Sequence, residues 1–154
     1  MVDKDTVLDW LVRRGLSATA DEDAETDAYW HLRVRYPKPD GPQVSVFVPT
    51  ADGDDMRVQM VTAVSDVHRD AIKGLTPEAF REFRFQLLRD LLRSRAQYSM
   101  EWDTETQDFE RFAVLRRIWP GSIDRTQLFE AVQDVFDINL LIIVHVRHAA
   151  GGLA

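Results

Sequence analysis

Two histidines near the C-terminal end of the chain, His145 and His148, are the first residues whose type could do chemistry. They stand three apart, so on a helix they share a face. Such a pair holds a metal ion only with a third ligand from elsewhere. Neither an H-x-x-E nor an H-x-x-x-H pattern surrounds them. His145 sits among apolar neighbours, and the plainer expectation is one core histidine followed by one exposed histidine. Serine, histidine and aspartate all occur, but no G-x-S-x-G elbow and no glycine-rich phosphate loop is present. A scattered triad would be invisible at this level, so an enzyme is disfavoured and left open.

Acidic side chains cluster in DEDAETD, residues 21–27, and DGDD, residues 52–55. A calcium loop needs alternating acids, a glycine at its sixth position and a distal glutamate. Neither stretch has that pattern, and both are expected to be solvated loops. The chain has no cysteine. Disulfides, thiolate metal sites and a cysteine nucleophile are thereby excluded together. No cofactor or metal is expected, and a reducing, cytoplasmic setting fits this composition.

The 154 residues suit one domain, here residues 1–150 with a frayed tail at 151–154. The formal net charge is -7. Nine Lys/Arg face fourteen Asp/Glu in residues 1–75, and ten face twelve in residues 76–154, so the acid excess is spread out. Generic nucleic-acid binding is disfavoured by that field. MVDKDTVLDW has spaced apolar residues and does not read as a signal peptide. No apolar run approaches the roughly 18 residues of a membrane span. Sixteen of the nineteen basic residues are arginine, a bias that speaks of the host genome rather than of function.

These residues need elements to position them. Asp3 or Asp5 can cap a first helix that ends at Gly15. AYWHLRVRY then alternates, with Trp30, Leu32, Val34 and Tyr36 on one face and Tyr29, His31, Arg33 and Arg35 on the other. QVSVFVP and MRVQMVTAV alternate likewise, with the 37–42 and 51–55 turns between them. A short helical turn over 65–70 precedes a long helix from Thr76, with Pro77 at its first position. AQYSMEWD and FERFAVLRRIW form a hairpin, WPGSID breaks it, and a last helix starts near Ser122 or Asp124. The order is α-β-β-β-α-β-β-α. The expected class is α+β, an antiparallel sheet of about five strands with helices packed mainly on one face.

Two surfaces emerge. Strand parity puts His31, Arg33, Arg35 and Arg57 on the polar sheet face, with Gln59 and Ser99 as further candidates. That local basic patch could hold an acidic peptide, a small ligand or a nucleic-acid backbone, or simply be solvated and balanced by acids. On the long helix, Phe80, Phe83, Phe85, Leu87, Leu88, Leu91 and Leu92 fill an arc of about 200°, wider than the ordinary stripe of about 100°. This helix is expected to pack on more than one side, against the sheet and against the last helix or a second subunit. Arg84 lies inside the arc, and Arg81 near it. The bland expectation is an ion pair with a local carboxylate such as Glu101; the sharper one is an anchor for an acidic group on a partner.

The run INLLIIVHV is readable as strand or helix. Its β-branched residues favour a strand, yet no turn separates it from Phe136, and helical continuation places Val135, Ile138, Ile142 and His145 on one stripe. Helix is the favoured reading, with Asp137 the place for a bend. Together the D-W-L of the first helix, R-Y-P and V-F-V-P in the strands, FREFRFQLLRDLL, and DRTQLFEAVQDVFDINLLIIVHV resemble an uncharacterised, largely archaeal family whose fold is similar to type III secretion chaperones. The resemblance covers nearly the whole chain and rests on element order and apolar pattern. It implies a long final helix and makes a homodimer an expectation. It brings no activity and no functional residue. The expected function is a non-catalytic protein-interaction module with an unidentified protein partner. The alternatives are a small-ligand or nucleic-acid binder and an enzyme with a scattered site.

Overall fold

The computed structural model describes residues 2–22, 28–52 and 55–152. Most of the DEDAETD loop and the tip of the 51–55 turn lie outside the described residues, as do the last two residues of the tail. Among the described residues the chain is α+β, with four helices and a six-stranded sheet ordered β1-β2-β3-β4-β6-β5. The helices are α1 (Lys4–Arg13), α2 (Asp66–Lys73), α3 (Pro77–Leu91) and α4 (Arg125–Ala149). The strands are β1 (Ser17–Ala20), β2 (Trp30–Arg35), β3 (Gln43–Val48), β4 (Met56–Ala63), β5 (Gln97–Asp103) and β6 (Asp108–Ile118).

The residues divide into two compact units, one of Met1–Met60 with Leu115–Phe136, the other of Val61–Val114 with Asp137–Ala154. In the first, Asp3 caps α1 by accepting from the Thr6 amide at 2.9 Å. Val7 and Leu11, four apart, share one face and are fully buried. Each such aliphatic side chain stabilises by about 1.5–3 kcal/mol when removed from water. Gly15 ends the helix at φ +86°, a left-handed conformation that costs glycine nothing. Strands β1 to β4 pair antiparallel in sequence, with Leu32 opposite Val46 and Val46 opposite Val58. Trp30, Leu32 and Val34, with Val44, Val46 and Val48 and with Met56, Val58 and Met60, are all buried, as their alternation predicts.

Strand β1 corrects the expected count of about five. Its four residues, SATA, are mostly exposed and carry no apolar alternation. Only pairing with β2 makes this edge segment a strand. The expected 65–70 turn is an eight-residue helix, α2, capped by Ser65.

In the second unit, Thr76 caps α3 and Pro77 occupies its first turn, where a missing amide is harmless. Phe80, Phe83, Leu87 and Leu91 are buried at helical spacing. Phe83 meets Phe109 of β6 at 6.2 Å between ring centroids, and Phe109 meets Trp102 of β5 at 5.3 Å. The final run is helix: α4 continues unbroken through Ala149. Its β-branched residues are overridden because Ile142 and Val146 bury on the stripe. Buried Asn139 donates to the Thr62 hydroxyl at 2.7 Å.

Candidate binding surfaces

The first surface is the polar face of β2–β4. Cross-strand register aligns His31, Phe47 and Arg57 in one row, and Arg33, Ser45 and Gln59 in the next. Arg35 lies opposite Gln43. His31 belongs to the polar side by parity, yet it is 8% exposed. Phe47 covers it edge-on at 5.9 Å between centroids. Its Nδ1 lies 3.0 Å from Asp21 Oδ2, off the line of a good hydrogen bond. The Arg33 Nε donates to the same oxygen at 2.7 Å. Arg57 donates to Asp55 at 2.9 Å, and Arg117 approaches that carboxylate at 3.7 Å. Arg35 donates to the Gly41 carbonyl at 3.3 Å.

The arginines of this face therefore meet carboxylates or a carbonyl of their own unit. The same face holds a groove of about 410 Å³ lined by Ala28, His31, Ser45, Phe47, Pro49, Thr50 and Gln59, with no arginine in its lining. Gln59 joins this face, whereas Ser99 is on β5 in the other unit. Asp21 and Asp55 were legible only as acid-rich loop residues, because nothing in their spacing names a partner.

The second surface lies on α3 and β5. Arg81 is exposed, and Arg84 is partly buried. The expected pair of Arg84 with Glu101 does not form: Glu101 takes Arg111 instead. The Arg84 guanidinium carbon stands 4.8 Å from the Trp102 ring centroid and 5.9 Å from that of Phe80. Its Nε is buried without a hydrogen-bond partner among the described residues. Beside it, Phe85 is 60% and Leu92 78% exposed, with half-buried Leu88 between them. These three recur at i, i+3 and i+7, a second apolar stripe that is exposed at both ends.

His145 is a partly buried histidine with a partner. Its Nε2 lies 2.8 Å from Asp90 Oδ2 of α3. That hydrogen bond first, and Arg89 second, hold the Asp90 carboxyl below its usual value. The pair clasps α3 to the second half of α4. Sequence reasoning missed Asp90 because it lies 55 residues away. His148 is exposed. Among the described residues, no group of three His, Asp or Glu side chains is placed to hold a metal ion, and no helix is long and apolar enough to cross a membrane.

A crystal structure of an uncharacterized protein from Methanothermobacter thermautotrophicus has a similar fold, with a TM-score of 0.83 and 20% identity. The similarity covers 96% of this chain and 98% of that one. At that identity it speaks for the fold alone. No match is found among curated proteins. Residues 3–146 match the model of an uncharacterized conserved protein family, DUF2299, and the chain belongs to that family.

Proposed function

We propose that this protein is a non-catalytic protein-interaction module, cytoplasmic and chaperone-like, that works as a homodimer through the outer face of α3. The supporting observation is the stripe Phe85–Leu88–Leu92, exposed at both ends, beside Arg84, a cation with no carboxylate among the described residues. Exposed apolar side chains scattered singly need no explanation, but a stripe at helical spacing does. A second copy supplies both things the face lacks, an apolar helix and carboxylates, of which this chain has an excess, 26 against 19 basic residues. Arg84 is held in place by Trp102 and Phe80, so little side-chain entropy is lost when it takes an acidic group. The element order, a strand meander followed by a long helix, a hairpin and a final long helix, supports the chaperone-like reading.

Sedimentation equilibrium tests this directly. The expected result is a dimer that Phe85→Asp converts to monomer without lowering the melting temperature. A monomer at every concentration, with no protein retained from a native lysate at low or high salt, would refute the reading.

A second reading rests on the groove over His31. Apart from His31 its lining carries no ionisable side chain, and its size is that of a small-molecule site. It fits a small, mostly apolar ligand with one polar group at His31. A ligand-induced rise in melting temperature that His31→Ala abolishes would establish this second site.

A further inference from the structure

In the first unit, α1 and α4 bring three arginines together. Arg13 and Arg14 from the end of α1 and Arg125 from the start of α4 line a pocket of about 340 Å³ with Trp10, Thr126 and Phe129. Arg13 pairs with Asp9 at 2.7 Å, but both side chains are more than half exposed. Such a surface pair contributes little and is readily rearranged. Arg14 lies over the Phe129 ring at 5.2 Å, and neither it nor Arg125 forms an ion pair among the described residues. The nearby carboxylate of Asp124 is engaged, accepting from the Gln127 amide at 2.8 Å.

Three guanidinium groups around one pocket repel each other, and against this stand the exposed Arg13–Asp9 pair and the contact of Arg14 with Phe129. Arg125 is the first residue of α4, where the helix dipole opposes a cation. The overall charge of -7 makes a basic pocket a local exception rather than part of a general field. A bound anion removes this repulsion. Guanidinium forks match the geometry of phosphate oxygens, and the indole of Trp10 offers a flat apolar wall. The volume lies within the range of small-molecule sites. The net charge of -7 disfavours a long nucleic-acid chain more than one small phosphate ester.

We propose that this pocket binds a small phosphorylated ligand, its phosphate taken by Arg13, Arg14 and Arg125. The reading is independent of the α3 interface and of the His31 groove. Isothermal titration of the full chain with inorganic phosphate, pyrophosphate and adenosine monophosphate tests it. Binding is expected with at least one probe, weakening as salt rises. Arg125→Ala should weaken it by about 10- to 100-fold, the loss of one or two charge-assisted hydrogen bonds. Arg14→Ala should act similarly, and Lys38→Ala, an exposed cation on the 37–42 turn, should have no effect. Arg125→Ala places a strong helix former at an exposed helix start, so it is expected to fold. Tighter binding of the nucleotide than of inorganic phosphate, lost in Trp10→Leu, would mean that a ring stacks on Trp10. Equal binding would mean that the oxyanion alone is held. Heat from none of the three probes, or binding indifferent to Arg14→Ala and Arg125→Ala, would overturn the proposal.

Discussion

Replacing Arg84 with alanine separates packing from recognition. Were Arg84 a member of a buried ion pair, its loss would strand a carboxylate and cost about 3–5 kcal/mol. Among the described residues Arg84 has no such partner. What Arg84→Ala removes is a cation over Trp102 at 4.8 Å and over Phe80 at 5.9 Å, an interaction of about 0.5–2 kcal/mol. It also removes a buried Nε that has no hydrogen-bond acceptor among the described residues, which returns part of that loss. The net cost is therefore about 1 kcal/mol. For a chain of 154 residues this lowers the melting temperature by about 2–4 °C, against about 10 °C for a broken buried pair. Thermal melts followed by far-ultraviolet circular dichroism give the first number, and sedimentation equilibrium gives the dimer constant. A small shift with clearly weakened association is the expected result. A fall of about 10 °C with association intact would show that Arg84 is structural and would remove the acid-anchor part of the argument.

Acid should destabilise the protein in a defined window. Asp108 is held below the usual carboxylate value by its two-pronged hydrogen bond from Arg69 and by Lys73, and Asp90 by His145 and Arg89. Their folded-state values are depressed, so their stabilisation is complete above the unfolded value of about 4 and is lost as pH falls through the lower folded values. Urea unfolding at stepped pH should show little change from these groups between pH 7 and 5 and a decline below 4 that Asp108→Asn makes shallower; an unaltered decline would assign it elsewhere. Asn139→Ala should cost about 1–3 kcal/mol, because it leaves the Thr62 hydroxyl without its buried partner, and an unchanged urea midpoint would contradict this. Gly41→Ala would set a Cβ 2.3 Å from the Tyr36 carbonyl oxygen, so the β2–β3 turn must shift. A lowered melting temperature is expected, and a neutral outcome would show that this turn re-forms at no cost.

Periodicity and punctuation were enough to place most of the fold. The alternation in WHLRVR, QVSVFV and MRVQM assigns faces because side chains on a strand point to opposite sides in turn, and each inward residue is buried. Thr76–Pro77 and Gly15 mark helix ends because they answer unsatisfied backbone groups locally. The unbroken helical register from Leu128 to Val146 outweighed β-branched composition, since no turn residue interrupts it. The candidate residues His31, Arg33, Arg35 and Arg57 were placed on one face by parity alone. Their partners were not legible, since a contact such as Arg33–Asp21 or His145–Asp90 joins residues that only folding brings together.

The amino-acid order by itself determined which residues turn inward, where the longer elements begin and end, and the absence of cysteine chemistry, because these depend on local geometry and residue type. Tertiary structure alone decided that β1 is a strand, that His31 is buried on a polar face, that Arg84 rests on Trp102 instead of pairing with Glu101, and that Arg13, Arg14 and Arg125 meet around one pocket. Each of these depends on residues brought together across the chain, and such contacts leave no periodic trace in the sequence.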